Sequence, residues 1–386
     1  MTDIRKMLWV KVLYSTRFWL PTFVLYLNTR GIETSQVLFL LGAYYVAVIA
    51  LEYPTGVIGD VFSHRISIFS GYAGLAVGFL LLAFPMSVGF AYYLGAIMFV
   101  ALGESLISGS DTALLHDVSK DFTRDYPRIK TVSQVVSFVA LSVGGFSATI
   151  DLRLPLVLSA LAMAAASLFA MSVSYRPAKR DSQGNVIRTA LTGLSSVGGN
   201  VMLRNLILLS LLVGSFLFSI KWLYNDLFRL ISLPVFWWGV VPGVATLFVA
   251  VGTMTYRKFP KVPMWTVFLA LAVLVPLMGF TWWAAIPVLA IVAAHFLRGY
   301  IESRIMVDIN GVISSDVRSS VLSLNSLLQR LGASGYMFVG SQLIATVPLS
   351  VFLGYSGLFI ALAGIVPLLA LARDHRGMIG GSGTSA

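Results

Sequence analysis

Apolar stretches of about 20 residues follow one another along almost the whole chain, separated only by short polar segments. We read twelve of them, at 8–28, 36–57, 66–84, 90–114, 131–150, 154–173, 202–224, 234–254, 263–281, 283–305, 318–343 and 349–371. An α-helix rises about 1.5 Å per residue, so a stretch of this length matches a hydrocarbon layer about 30 Å thick. The pattern therefore predicts an all-α membrane protein whose twelve transmembrane helices form two pseudo-symmetric six-helix bundles. The longest polar interruption, from Tyr175 to about Asn200, divides the stretches six and six. It sets the expected organisation: bundles at 1–173 and 202–376, a cytoplasmic linker at 174–201, and a Gly/Ser tail at 377–386 that resembles an expression scar. A weak internal echo supports two related halves. Asp117 precedes Arg128-Ile129-Lys130-Thr131-Val132-Ser133 much as Asp308 precedes Arg318-Ser319-Ser320-Val321-Leu322-Ser323.

Composition agrees with the pattern: 58% of residues are apolar and 11% charged, against about 25% charged in a soluble domain. The net charge of +11 would suit nucleic acid were the basic residues not gathered on one side. With the N-terminus inside, Arg5, Lys6, Lys11, Arg65, Arg124, Arg128, Lys130, Arg176, Arg180, Arg257, Lys258, Lys261, Arg318 and Arg373 are cytoplasmic, while the opposite loops hold little beyond Arg30, Arg153 and Arg229. Such asymmetry predicts both termini in the cytoplasm, with no nucleic-acid partner. The first apolar stretch is longer than a signal core and lacks a small-residue cleavage site, so it is expected to remain in the protein. Cysteine is absent, which removes disulfides and thiol chemistry. Nothing resembles a phosphate-binding Gly-Lys-Ser/Thr loop, a nucleophile elbow or a His-Glu-x-x-His zinc site, so neither an enzyme nor a cofactor is expected.

A few ionisable residues fall inside the apolar stretches, where each costs about 2.5–3.5 kcal/mol on insertion scales. Arg17, Glu104 and Arg330 are the clearest. A guanidinium is a planar fork of donors matched to carboxylate or phosphate, so Arg17 and Arg330 are candidate substrate contacts, with Tyr14, Asn325 and Gln329 from the same segments. A buried carboxyl takes up protons more readily than an exposed one, which makes Glu104 the candidate for proton coupling. A static ion pair with Arg17 or Arg330 is the competing reading. His295 and Asp111 are the next candidates for the proton, and Arg298 with Glu302 reads as an ordinary pair one helical turn apart.

Between the second and third stretches runs Gly56-Val57-Ile58-Gly59-Asp60-Val61-Phe62-Ser63-His64-Arg65. Gly56, Asp60, His64 and Arg65 resemble the loop signature of the major facilitator superfamily; Val61 and Ser63 depart from it, standing where a basic residue and a glycine are usual. A second run, Gly103 to Asp117, is similar to the fourth span of bacterial members usually described as effluxers. The resemblance covers essentially the full length. It implies a secondary carrier with a central site, worked by alternating access, and a cytoplasmic latch in which Gly56, Asp60, Arg65 and Asp117 serve as gating residues. Asp111 and Asp117 are the expected partners of Arg65. Drug exporters of this kind usually carry an arginine in the fourth span and a Gly-Pro-rich run in the fifth, whereas this chain has Glu104 and Gly144-Gly145.

The expected function is proton-coupled export, by a monomer, of a small amphipathic or anionic metabolite or drug, with lipids as surroundings. Uptake or exchange of an organic anion is the alternative; a lipid flippase or a non-transporting sensor is a further one.

Overall fold

A computed structural model describes residues 2–61, 63–87, 89–108, 110–119, 121–174, 186–314 and 317–380. Among these every regular element is helical, as a chain immersed in lipid requires, since hydrocarbon offers no partner to an unpaired backbone group. In chain order they are α1 (Asp3–Tyr14), α2 (Phe23–Thr29), α3 (Thr34–Val61), α4 (His64–Ala83), α5 (Phe90–Ile107), α6 (Ser110–Val118), α7 (Phe122–Ala148) and α8 (Leu154–Met171). Next come α9 (Val186–Gly199), α10 (Val201–Ile220), α11 (Tyr224–Leu230), α12 (Val235–Lys258), α13 (Met264–Met278), α14 (Ala285–Val312), α15 (Arg318–Ile344) and α16 (Leu349–Gly380).

Nine helices or near-continuous helix pairs among the described residues are long and apolar enough to cross a membrane, and α13 is a shorter apolar helix of 15 residues. Their outward faces are greasy: Leu161 and Leu168 on α8 are 62% and 70% exposed, which suits hydrocarbon as the surrounding medium. The first and eleventh apolar stretches differ from the rest. The first is interrupted between Tyr14 and Leu20, and the eleventh, α15, is diluted by Asn325, Gln329 and Arg330. The segment expected to be linker carries a helix, α9, because Val186, Ile187, Ala190, Leu194 and Val197 recur at helical spacing, a periodicity its polar surroundings hide. Residues 175–185 of that linker and 381–386 of the tail lie outside the described residues.

Helix starts follow local chemistry. The Ser63 hydroxyl accepts from the Arg65 amide at 3.2 Å, the Asp121 carboxylate from Arg124 at 3.1 Å, and the Asn200 side chain from Leu203 at 3.0 Å.

The chain divides into two compact units. The first comprises 1–183 with 222–247 and 337–345; the second comprises 184–221, 248–336 and 346–386. Small residues hold the helices together in each. In the first, a Cβ on Gly71 would lie 2.8 Å from the Gly103 carbonyl, and one on Gly103 would lie 2.9 Å from the Gly71 carbonyl, so α4 and α5 touch backbone to backbone. Gly145 and Gly239 do the same for α7 and α12. In the second unit, Gly252 of α12 sits against Phe296 of α14, and Gly299 of α14 against Val249.

Candidate functional site

The first unit gathers ionisable side chains where its first apolar stretch breaks. α1 ends at Tyr14, and the chain runs through tight turns, with the Thr16 amide bonded to Leu13, Arg17 to Ser15 and Phe18 to Thr16, before a 3-10 turn at Leu20–Thr22 leads into α2. Proline at position 21 contributes no amide and suits that restart. The break leaves backbone groups without helical partners, and neighbouring hydroxyls meet them. Ser137 donates to the Ser15 carbonyl at 3.1 Å, and the Trp19 amide donates to Ser159 Oγ at 3.2 Å. Arg17 therefore occupies a turn, not the middle of a helix as its position in the apolar stretch predicts.

Glu104 reaches the same place from α5. Gly103 fastens α5 to α4, and the next residue, about 100° further round the helix, leaves that seam toward α1. There the Tyr14 hydroxyl donates to Glu104 Oε1. The Arg17 guanidinium lies 5.1 Å from the centre of the Tyr14 ring, within cation–π range, and its electrostatic neighbours are Tyr14, Glu104 and Tyr44. Arg17, Tyr14 and Glu104 thus stand in series, cation, hydroxyl and carboxylate. No carboxylate among the described residues comes within 4.0 Å of the guanidinium.

A second pair lies one helical turn back along α1. Lys11 donates to Asp111 Oδ2, both side chains largely buried. Glu104, Ser108 and Asp111 are spaced for a single helix face, yet they diverge because the helix stops at Ile107 and restarts at Ser110. Ser108, whose backbone is extended there, donates to Glu52 Oε1 of α3 at 2.6 Å, while Asp111 meets α1. Asp111 therefore takes Lys11 rather than the expected Arg65. Arg65 instead donates Nη1 to the Val173 carbonyl at 3.2 Å.

Aromatic rings adjoin the series and its neighbours in the chain. Tyr72 of α4 packs edge-on against Tyr14 at 5.7 Å, and Tyr44 of α3 stands at 5.2 Å from Tyr45. Trp19 lies among Phe23, Phe79 and Trp222 at 5.0, 5.4 and 5.8 Å. Sequence reasoning passed over Lys11, Tyr44 and Tyr72. The recurrence of Lys11, Tyr14 and Arg17 three residues apart was available as a signal for the first; nothing singles out the two tyrosines among 15.

The sequence profile of the Major Facilitator Superfamily matches residues 10–337. The chain belongs to this superfamily. Solved transporters share the fold of this facilitator at low identity. The nucleoside transporter NupG is 15% identical, with 97% of this chain and 99% of NupG covered and a TM-score of 0.76. A bacterial homologue of the human lysosomal transporter Spinster, in an inward-facing and unoccupied conformation, is 14% identical over 96% of this chain and 95% of its own, with a TM-score of 0.72. The POT family transporter PepTSo is 13% identical over 97% and 98%, with a TM-score of 0.70. No curated protein sequence matches the chain. The facilitator is thus a transporter of a small solute, not an enzyme.

Gly56 has open space where a Cβ would be, so packing does not account for it. The Asp60 side chain lies outside the described residues, and Asp117 sits 3.8 Å from its neighbour His116. In the second unit, Gln329 acts as a tie between helices. Its side-chain amide donates to Ser210 at 2.8 Å, and its backbone carbonyl accepts from Ser215 at 3.0 Å. Asn325 is buried, and its Oδ1 meets no donor among the described residues. Arg330 is half-buried on the same helix. His295 Nδ1 is 2.9 Å from the Ile291 carbonyl, a local contact within α14, and Arg298 Nε donates to Glu302 at 2.7 Å, the pair anticipated from spacing. Among the described residues no cluster of His, Cys, Asp and Glu suits a metal.

Proposed function

We propose that this facilitator carries a small solute with an anionic group, which Arg17 binds, and moves it together with a proton taken up by Glu104. One observation carries the reading: Arg17 and Glu104 are joined through Tyr14, whose ring lies beneath the guanidinium and whose hydroxyl donates to the carboxylate, instead of paired directly. Among the described residues no carboxylate occupies the guanidinium, and the Glu104 carboxylate has its own hydrogen bond from Tyr14.

Charge neutrality sets the direction of coupling. The empty series holds one positive and one negative group and is neutral. A bound anion adds a negative charge in a place where charge is costly. Protonation of Glu104 cancels it, so anion and proton favour each other's binding and travel in the same direction. Exchange would require the two to compete for one group, and the intervening tyrosine favours separate places for them. With a proton gradient directed inward this reading favours uptake over the export suggested by the fourth-span resemblance. A bacterial inner-membrane protein with twelve crossings in two related halves, cytoplasmic termini and alternating access completes the proposal.

Purified protein in liposomes, with an imposed pH gradient and labelled anionic solutes, tests it. Accumulation should follow the proton into the acid-outside vesicle, and Glu104→Gln should abolish gradient-driven accumulation while sparing solute exchange. Unchanged accumulation by Glu104→Gln would move the proton elsewhere, and solute moving against the proton would overturn the shared direction.

A further inference from the structure

We infer that the solute is a flat aromatic monocarboxylate, held by Arg17 with Tyr44 and Tyr72 and selected by the rings around them. The inference rests on the anionic reading above and adds the shape of the molecule.

Two hydroxyls beside the series are uncommitted. Tyr72 is fully buried, its ring packs against Tyr14, and its hydroxyl has no hydrogen-bond partner among the described residues. A buried donor without a partner is expensive, so a group that arrives with an acceptor relieves it. Tyr44 is half-buried and makes no hydrogen bond to a described residue; its electrostatic neighbours are Glu104, Tyr14 and Arg17. The Tyr72 hydroxyl has Asp111, Tyr14, Glu104 and Arg17 as its electrostatic neighbours. Tyr72 and Arg17 both border the Tyr14 ring, at 5.7 and 5.1 Å, and both hydroxyls have a donor to offer. A carboxylate has two oxygens and about four lone-pair sites, enough for the guanidinium and one or both hydroxyls.

The walls specify the body of the solute beyond its carboxylate. Tyr14, Tyr44 and Trp19 each keep accessible surface, and each packs against a buried ring: Tyr14 against Tyr72, Tyr44 against Tyr45, and Trp19 against Phe23 and Trp222. The Trp222 indole nitrogen lies 3.4 Å from the Tyr45 hydroxyl, which ties that backing together. Rigid ring faces favour offset or edge contacts with another ring over a flexible alkyl chain. One arginine and, among the described residues, no second unpaired cation in this cluster suit a single negative charge.

Equilibrium binding of labelled benzoate to the purified protein tests the inference, with unlabelled benzoate, hexanoate, benzyl alcohol and benzylamine as competitors. Hexanoate, which has the same charge and no ring, should displace the label about two- to tenfold less effectively than benzoate, and the neutral and cationic aromatics should not displace it. Tyr44→Phe and Tyr72→Phe should weaken all carboxylates alike, because only a hydroxyl is lost. Tyr44→Leu should erase the margin between benzoate and hexanoate while hexanoate still binds. Equal competition by hexanoate in the wild type would overturn the aromatic selection and leave the anionic reading intact. Competition by benzylamine, or benzoate binding that survives Arg17→Gln, would overturn both. No benzoate binding at millimolar concentration would reject the aromatic monocarboxylate, and the liposome experiment would still judge transport separately.

Discussion

One helix, α5, presents two unlike faces. At Gly103 it meets Gly71 of α4 so closely that neither position has room for a Cβ. At Glu104, the next residue, it meets α1 through a tyrosine hydroxyl. The first contact is dry, apolar and made by backbone; the second is polar and made by side-chain ends. The contrast teaches that positioning and chemistry are assigned to neighbouring residues. Glu104 is placed accurately because the residue before it cannot move.

The two faces should fail in different ways. Gly103→Leu should have the largest effect, since its side chain would collide with the Gly71 carbonyl and the Leu75 amide, backbone groups with nowhere to go. Overpacking typically costs about 1–3 kcal/mol and more against backbone. Size-exclusion profiles of detergent extracts should show little or no folded protein, and a normal profile with full transport would remove the claim that this seam sets Glu104.

On the polar face Lys11→Met comes next. It strands the Asp111 carboxylate in a largely buried place, and breaking such a pair costs about 3–5 kcal/mol. Lys11→Met with Asp111→Asn should recover most of the lost thermal stability. If the double variant is no more stable than the single one, Lys11 matters for something other than its ion pair.

Tyr14→Phe is milder. It removes one hydrogen bond, worth about 0.5–1.5 kcal/mol, and leaves the ring beneath Arg17. Melting temperature should fall slightly, whereas the pH dependence of transport should shift because Glu104 loses its donor. A profile identical to wild type would take Tyr14 out of the proton step.

The smallest effect lies outside the membrane. The Arg153 hydrogen bond, then the Arg153 amide, holds Asp151 below the ordinary carboxylate value; Lys6, then the Ser174 amide, does the same for Asp3. A depressed folded-state value contributes stability above the unfolded value of about 3.8, and the contribution is lost as pH falls through the folded one. Both residues are exposed enough for solvent to screen them. Asp3→Asn with Asp151→Asn should therefore leave stability at neutral pH almost unchanged and flatten a weak acid limb below about pH 4. A clear loss of stability at neutral pH would contradict that screening.

Much of the architecture was legible from hydropathy, because hydrocarbon demands long apolar helices and tolerates few charges. The family was legible from Gly56, Asp60, His64 and Arg65, and the profile over residues 10–337 agrees. Arg17 and Glu104 stood out because charge in an apolar stretch is rare, and the structure brings them to the two sides of Tyr14. Their connection was not legible. Periodicity assumes unbroken helices, and both carriers are broken, α1 after Tyr14 and α5 after Ile107. The second break turned three residues at helical spacing toward three separate partners. The amphipathic α9 was hidden for the opposite reason, its apolar residues being too few to stand out from polar neighbours.

The interruption between Tyr14 and Leu20 has a mechanical meaning. A continuous helix is a stiff rod, whereas two rods joined by a turn can pivot. Hydroxyls from Ser137 and Ser159 hold the joint by single hydrogen bonds at its two ends, and each can be released and remade at little cost. The rod bearing Lys11 and Tyr14 can then tilt while the second rod, anchored by buried Phe23, Tyr26 and Leu27, stays seated. Arg17 sits at the pivot itself, where a small swing of the rod changes which way its fork faces without carrying it across the bilayer.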